Sequence, residues 1–118
     1  MNDILAGINL FNDADFFAAH DFFEGKWVQC SREDRLFFQG LVQVSVGCYH
    51  LVCGNYRGAL SQFIKGTQKL KNYLPSHKSL ELRGLLLSVN SLINDLNLYS
   101  EESSAEIDLN KIPKMKLL

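Results

Sequence analysis

One uncharged run of 21 residues, positions 36–56, limits what this chain can fold into more than any other feature. Arg35 and Arg57 bracket the run, and a helix built from it would be apolar on nearly every side. Such a helix must be covered by neighbouring elements or lie in a bilayer. Two glutamines, a histidine, an asparagine and three glycines within the run make insertion costly, and no second apolar span accompanies it. We therefore predict a buried central helix over residues 33–53 and expect no association with a membrane.

A polar stripe runs along this helix within an arc of about 80°, at 100° per residue. An exposed stripe would normally carry a Lys or Glu, whereas this one contains only amides, glycine and histidine. Glycine inside an exposed helix costs about 1 kcal/mol relative to alanine, so another backbone or a ligand close to Gly47 explains its presence better. The stripe consists of Gln39, Gln43, Gly47, His50 and Gly54, and the opposite apolar side of Phe37, Leu41, Val44, Cys48, Leu51 and Val52.

Apolar residues at helical spacing predict three further helices, over residues 14–28, 56–74 and 80–97. Gly54 is expected to end the central helix and Asn55 to cap the next, which makes these two helices antiparallel neighbours. Residues 1–11 are expected to form only a lead-in with a short opening turn. Residues 76–79 are predicted as a loop with a solvated His77, and Ser79 as the cap of the last helix.

The predicted fold class is all-α, a compact antiparallel bundle of about four main helices. Residues 1–99 form the bundle domain, and residues 100–118 form a linker and an extended C-terminal tail. The Ser- and Glu-rich composition of residues 100–104 is typical of a flexible linker. The apolar and basic tail either docks against the bundle or stays free.

Charge and cysteine usage indicate which partners and which compartment to expect. Twelve basic and thirteen acidic residues give a net charge of −1, so no nucleic-acid binding is expected. Cys30, Cys48 and Cys53 are an odd number without a C-x-x-C motif, and no signal peptide precedes them. This usage predicts free packing thiols in a reducing, cytoplasmic environment.

The candidate functional site is a polar set on otherwise apolar helices. On residues 14–28, Phe16, Phe17, Phe23 and Trp27 are predicted to share one face, with His20 in its middle. His20 and Glu24 are an i, i+4 pair, and with His50 they would supply the two-histidine, one-carboxylate set that suits zinc or ferrous iron. The whole predicted cluster is His20, Asp21, Glu24, Trp27, Gln39, Gln43, His50, Asn55 and Arg57.

Several short motifs resemble one family, the domain of unknown function 309, over about residues 10–74. That resemblance implies a small all-helical bundle, found in bacteria, archaea and plastids, whose biochemical role is not established. It also admits the plastid stroma as a location. The usual His-Glu pair of the family stands here as His20-Asp21. The motifs are Phe11-Asn12, Phe16-Phe17-x-Ala19-His20-Asp21-x-x-Glu24-x-x-Trp27, Phe38-Gln39-Gly40-Leu41-Val42-Gln43, Tyr49-His50 and Gly54-Asn55-Tyr56-Arg57-Gly58-Ala59-Leu60.

Two functional interpretations follow from the residues. In the first, the cluster between the first two helices binds a small molecule or a divalent metal, with acid-base chemistry of a hydrolase kind left open. In the second, the cluster only fixes helix packing, and the bundle serves as a structural or interaction module, as a homodimer or with another protein. No glycine-rich phosphate loop, serine elbow or zinc C-x-x-C pair favours a particular reaction.

Overall fold

A computed structural model describes residues 3–99 and 106–118. In these ranges the chain is built from α-helices with one two-stranded antiparallel sheet, which confirms the predicted all-α class. Single turns of 3-10 helix occupy Arg32–Asp34, Lys71–Tyr73 and Leu109–Lys111. The main elements are α1 (Leu5–Asn12), α2 (Phe16–Gln29), α3 (Arg35–Val52), α4 (Tyr56–Leu70), β1 (Ser76–His77), β2 (Leu80–Glu81) and α5 (Arg83–Leu98).

The expectation of a mere lead-in at the N-terminus is wrong, because α1 is a helix of two turns. Its buried side chains are those of Ile8 and Phe11, and Ile4 just before it is buried as well. These three follow i, i+4, i+7 spacing, so they form one helical face against the core. Residues 3–99 therefore contain five α-helices, one more than the number of about four that the sequence predicts.

The boundaries after α3 also differ from the prediction. α4 ends at Leu70, and a 3-10 turn replaces the predicted last helical turn. α5 begins at Arg83 because Leu80 and Glu81 pair with His77 and Ser76 in the small sheet. Ser79 is not the cap: the Glu81 carboxylate accepts the Gly84 N–H, at 3.0 Å from Oε1 and 2.9 Å from Oε2.

The central position of α3 is confirmed, since α2 and α4 both pack along it. Of the apolar side predicted on this helix, Val52 is the exception. It is the last residue of α3 and is 45% exposed. The buried members are Phe37, Leu41, Val44, Cys48 and Leu51. Among the described residues, no helix combines the length and apolar character that crossing a membrane requires.

A three-residue connection between α3 and α4 sets the two helices side by side. Gly54 has a φ of +79°, a conformation that glycine adopts without steric cost. Asn55 then caps α4, because its Oδ1 accepts the N–H of Gly58 at 3.0 Å. Both local predictions for this turn are confirmed.

The C-terminal residues 106–118 dock on the bundle. Asn12, the last residue of α1, donates its side-chain amide to the Met115 carbonyl at 2.9 Å and accepts the Met115 N–H at 2.7 Å. Met115 is buried, and the carbonyl of Lys116 accepts the N–H of Glu81 at 2.8 Å. Of the two predicted alternatives for the tail, docking is the one observed, whereas the predicted flexible linker at 100–104 lies outside the described residues.

Candidate functional site

A cavity of about 200 Å³ lies between α2 and α3. Phe17 and His20 of α2 line it together with Val46, Tyr49 and His50 of α3. The rings of Phe17 and Tyr49 meet edge to face with their centroids 5.7 Å apart. Both predicted histidines therefore reach one cavity whose other walls are aliphatic or aromatic.

The polar contacts of His20 stay within its own helix. Nδ1 lies 2.8 Å from the carbonyl oxygen of Phe17, and because a carbonyl only accepts, this nitrogen carries a proton and donates it. Glu24 Oε2 lies 3.5 Å from Nε2, and Asp21 Oδ1 lies 3.7 Å from Nδ1. Both carboxylates are exposed, so they can only form weak ion pairs with a protonated ring. In the neutral ring, Nε2 is left as an acceptor.

The contact of His50 with Asn55 favours the opposite tautomer. The Oδ1 atom of Asn55 accepts the Gly58 N–H, which leaves the amide Nδ2 to face the ring, 3.4 Å from His50 Nδ1. Because an amide nitrogen only donates, Nδ1 of His50 accepts and its Nε2 carries the proton. The N-cap of α4 thus sets the protonation pattern of a cavity residue at the end of α3.

Gln43 takes part in a contact between α3 and α4, away from the cavity. Its Oε1 accepts from Lys69 Nζ at 2.8 Å, which ties α3 to α4 instead of to α2. Burial, together with the nearby positive charge of Lys65, lowers the pKa of Lys69. Gln43 is consequently a packing residue of the α3–α4 interface and does not line the cavity.

The remaining members of the predicted cluster also lie outside the cavity walls. Trp27 is half-buried under Arg35, whose guanidinium carbon lies 5.1 Å from the centre of the ring. Within the described part of the chain, the buried Trp27 Nε1 has no hydrogen-bond partner. Gln39 is half-buried and Arg57 is exposed.

The predicted metal set is not assembled. In residues 3–99 and 106–118, no group of three His, Cys, Asp or Glu side chains is placed so that it could hold a metal ion. Glu24 is next to His20, but it does not line the cavity that His20 and His50 share. Helical spacing predicts how His20 and Glu24 lie relative to each other on α2. It does not determine the rotation of α3 about its axis, on which the position of His50 depends.

Sequence reasoning missed the aromatic walls of the cavity. Phe17 is predicted to share one face of α2 with Phe16 and Phe23, but those two are buried, whereas Phe17 is 55% exposed and lines the cavity. It lies about 100° from Phe16, so the two rings cannot face the same way on a helix. Val46, at i−4 from His50, could have been found from helical spacing, and Tyr49 from its i+3 spacing to Val46.

The solvated state predicted for His77 is wrong. Its Nε2 lies 2.8 Å from Asp34 Oδ1, and its ring packs at 4.7 Å from Phe37 and 4.6 Å from Tyr73 between centroids. Burial acts to raise the pKa of Asp34, but hydrogen bonds and charges from His77 and Lys78 outweigh it and hold that pKa below its usual value. The pair is separated by 43 residues and has no local sequence signature.

Comparison with known families covers the part of the chain that holds the cavity, while comparison with curated proteins gives no match. The family model for "Domain of unknown function (DUF309)" matches residues 4–62, half of the chain. This span includes α1 to α3, the start of α4 and every residue that lines the cavity. The chain therefore belongs to the family Domain of unknown function (DUF309).

Proposed function

We propose that this domain binds a small single-ring compound that carries a hydroxyl group, in the cavity between α2 and α3. One observation carries the proposal: His20 and His50 reach the same cavity, and its other walls are apolar or aromatic. Small-molecule sites typically combine mostly apolar walls with a few polar groups that orient the ligand.

The size of the cavity supports a single ring. An apolar cavity of about 150 Å³ holds benzene, so a volume of about 200 Å³ accommodates a ring with a small substituent. Phe17 and Tyr49 offer aromatic surfaces against which such a ring packs edge to face or in an offset stack.

The tautomers of the two histidines support the hydroxyl group. His50 supplies a donor at Nε2, since its Nδ1 accepts from Asn55. Neutral His20 supplies an acceptor at Nε2, since its Nδ1 donates to Phe17. A hydroxyl both donates and accepts, so it matches this pair better than a carboxylate or an ammonium group does.

The alternative, that the polar cluster only fixes helix packing, receives less support at the histidines. Among the described residues, His20 bonds within α2 and His50 bonds to the α3–α4 turn, so neither hydrogen bond joins α2 to α3. The contact between those two helices at this point is the aromatic pair Phe17–Tyr49. Between helices, Gln43 of α3 bonds to Lys69 of α4, and Trp27 of α2 packs against Arg35 of α3.

Titration with 4-methylphenol tests the proposal by NMR of the histidine rings. We expect saturable shifts for His20 and His50 and unchanged resonances for His77. His77 pairs with Asp34 beside the start of α3, about 27 Å from the His50 end of that 18-residue helix. Toluene should bind roughly thirtyfold more weakly, because it lacks two hydrogen bonds of about 1 kcal/mol each.

His50→Phe is the matched variant, because it keeps a ring of similar size and removes the donor. We expect its preference for 4-methylphenol over toluene to fall to about fivefold, because the acceptor of His20 remains. Equal affinity for the two probes in the unsubstituted protein, or shifts at His77 as large as those at His20, would contradict the proposal.

A partner protein is the second candidate for the same surface. Phe17 is 55% and Tyr49 is 40% exposed beside the cavity, and exposed aromatic side chains are typical of interfaces. A homodimer or a protein ligand would cover both rings. Light scattering at micromolar concentration distinguishes this case: a dimer that Phe17→Ser converts to a monomer would favour it over the small-molecule proposal.

A reducing compartment, the cytoplasm or a plastid stroma, is part of the proposal. Cys30, Cys48 and Cys53 are all free. Cys48 is buried, and burial raises the pKa of its thiol, which keeps it unreactive. Cys53 is exposed, and an exposed thiol persists in reduced form only where the surroundings are reducing.

A further inference from the structure

A second concave surface lies between the end of α4 and the first half of α5. Its volume is about 270 Å³, larger than that of the cavity between α2 and α3. We call it the α4–α5 groove. Its lining residues are Thr67, Gln68, Lys71, Leu74, Arg83, Leu86, Leu87 and Asn90.

Leucines form the apolar part of the α4–α5 groove. Leu86 is buried, whereas Leu74 is 46% and Leu87 is 67% exposed. Thr67 is buried too, and its hydroxyl already donates to the Phe63 carbonyl at 2.9 Å, so it needs no further partner. The groove therefore offers a mostly aliphatic surface without an unsatisfied buried hydroxyl.

Two cations stand in the lining, Lys71 just after α4 and Arg83 as the first residue of α5. No carboxylate lines the groove, and in residues 3–99 and 106–118 neither cation forms an ion pair. By contrast, Lys26, Lys78 and Lys111 each pair with an aspartate. Both groove cations lie where α4 ends and α5 begins, so positive charge gathers at that end while the net charge of the chain is −1.

We propose that the α4–α5 groove binds a free aliphatic monocarboxylate, with its carboxylate between Lys71 and Arg83 and its chain along Leu74, Leu86 and Leu87. Charge complementarity selects an anionic head, and arginine recognises a carboxylate with two parallel hydrogen bonds. The leucines select an aliphatic chain by burial of apolar surface. This site is separate from the cavity between α2 and α3 and does not depend on the function proposed for it.

Octanoate is the probe, with 1-octanol as the uncharged control of equal chain length. We expect octanoate to give saturable backbone NMR shifts at the groove residues and 1-octanol to bind at least tenfold more weakly. Affinity should rise up to about fourfold from one chain length to the next as each added CH₂ becomes buried. It should fall with added salt, because the cations are exposed.

Variants test the contributions of the carboxylate and of the aliphatic chain separately. Arg83→Gln and Lys71→Gln should each weaken octanoate binding severalfold and leave 1-octanol binding unchanged. Leu87→Gln should weaken both ligands. Arg32→Gln removes an exposed cation outside the groove and should change neither, and thermal unfolding of each variant verifies the fold.

Three results would overturn the proposal. The first is equal affinity for octanoate and 1-octanol in the unsubstituted protein. The second is an unchanged affinity for octanoate in the double variant that carries both Arg83→Gln and Lys71→Gln. The third is the absence of NMR shifts with octanoate when the protein does bind vesicles of phosphatidylcholine and phosphatidylglycerol or a synthetic peptide of leucine and glutamate. A membrane or a protein would then be the partner.

Discussion

At the scale of single residues, Asp34 and His77 form a hydrogen-bonded polar pair. The Asp34 side chain is 17% exposed and contacts both His77, at 2.8 Å, and Lys78, at 3.2 Å. The rings of Phe37 and Tyr73 pack against the ring of His77. The pair thereby fastens the turn between β1 and β2 to the start of α3.

Asp34→Asn should lower the free energy of unfolding at neutral pH by about 1.5 kcal/mol, the lower end for hydrogen bonds to charged groups, because His77 is 30% exposed. The pKa of Asp34 is lowered in the folded state from its ordinary value of 3.8. Its stabilisation is therefore fully present above pH 3.8 and is lost as the pH falls through the lower folded-state value.

Urea unfolding at pH 7 and at pH 3 measures both effects. The difference between the unsubstituted protein and Asp34→Asn should shrink at the lower pH. Asp13→Asn, which removes an exposed carboxylate, serves as the control and should change stability little. A gap between the two proteins that stays constant with pH would show that the charge of Asp34 has no stabilising role.

At the scale of helices, Gly47 shows how α3 and α4 fit together. A Cβ atom at Gly47 would lie 2.5 Å from Cδ1 of Phe63, a ring that is fully buried. We expected another backbone or a ligand to approach this glycine, and the structure instead places an aromatic side chain of α4 against it. The absence of a side chain at position 47 is what admits that ring.

Gly47→Ala should destabilise the protein by about 1–3 kcal/mol through overpacking, reduced by up to about 1 kcal/mol of helix propensity. Gly25→Ala is the matched control within α2, since nothing lies within 4 Å of the Cβ that it adds. That variant should be stabilised by up to about 1 kcal/mol. Thermal melting of the two proteins should move in opposite directions, and a joint rise would refute the packing argument.

For the whole molecule, the docked C-terminal residues join α1 to the sheet. Asn12 holds the Met115 backbone by two hydrogen bonds, and Met115 itself is buried. The Lys116 carbonyl and the Leu118 N–H continue this docking, at 2.8 Å each, to Glu81 and Ser79. The bundle and residues 106–118 thus share one core.

Asn12→Ala should destabilise the protein by about 1–3 kcal/mol, because two hydrogen bonds of about 0.5–1.5 kcal/mol each are lost. Asn9→Ala, in the same helix and exposed, should have almost no effect. Hydrogen exchange adds a local measurement: the Met115 amide should lose protection in Asn12→Ala and keep it in Asn9→Ala. Unchanged protection would mean that burial and the hydrogen bonds to Glu81 and Ser79 hold the tail without Asn12.

Local chemistry explains how much of the fold was predictable. The Gly54–Asn55 turn was found because one residue supplies the positive φ and its neighbour the N-cap, and both properties belong to single residue types. The β1–β2 pairing and the docking of Met115 on Asn12 were not predicted. Each contact depends on partners brought together only after the helices pack.

The candidate site also combines features that follow from neighbouring residues with features that depend on how the helices pack. By itself, the sequence determined that His20 lies on the helix before the uncharged run and His50 on the helix built from that run, because helical period follows from neighbouring residues. Only the tertiary structure decided that His50 faces α2 while Gln43, on the same stripe, bonds to Lys69 of α4. The physical reason is that a stripe of about 80° lies between two neighbouring helices, and the packing of Phe63 on Gly47 selects the rotation of α3 between them.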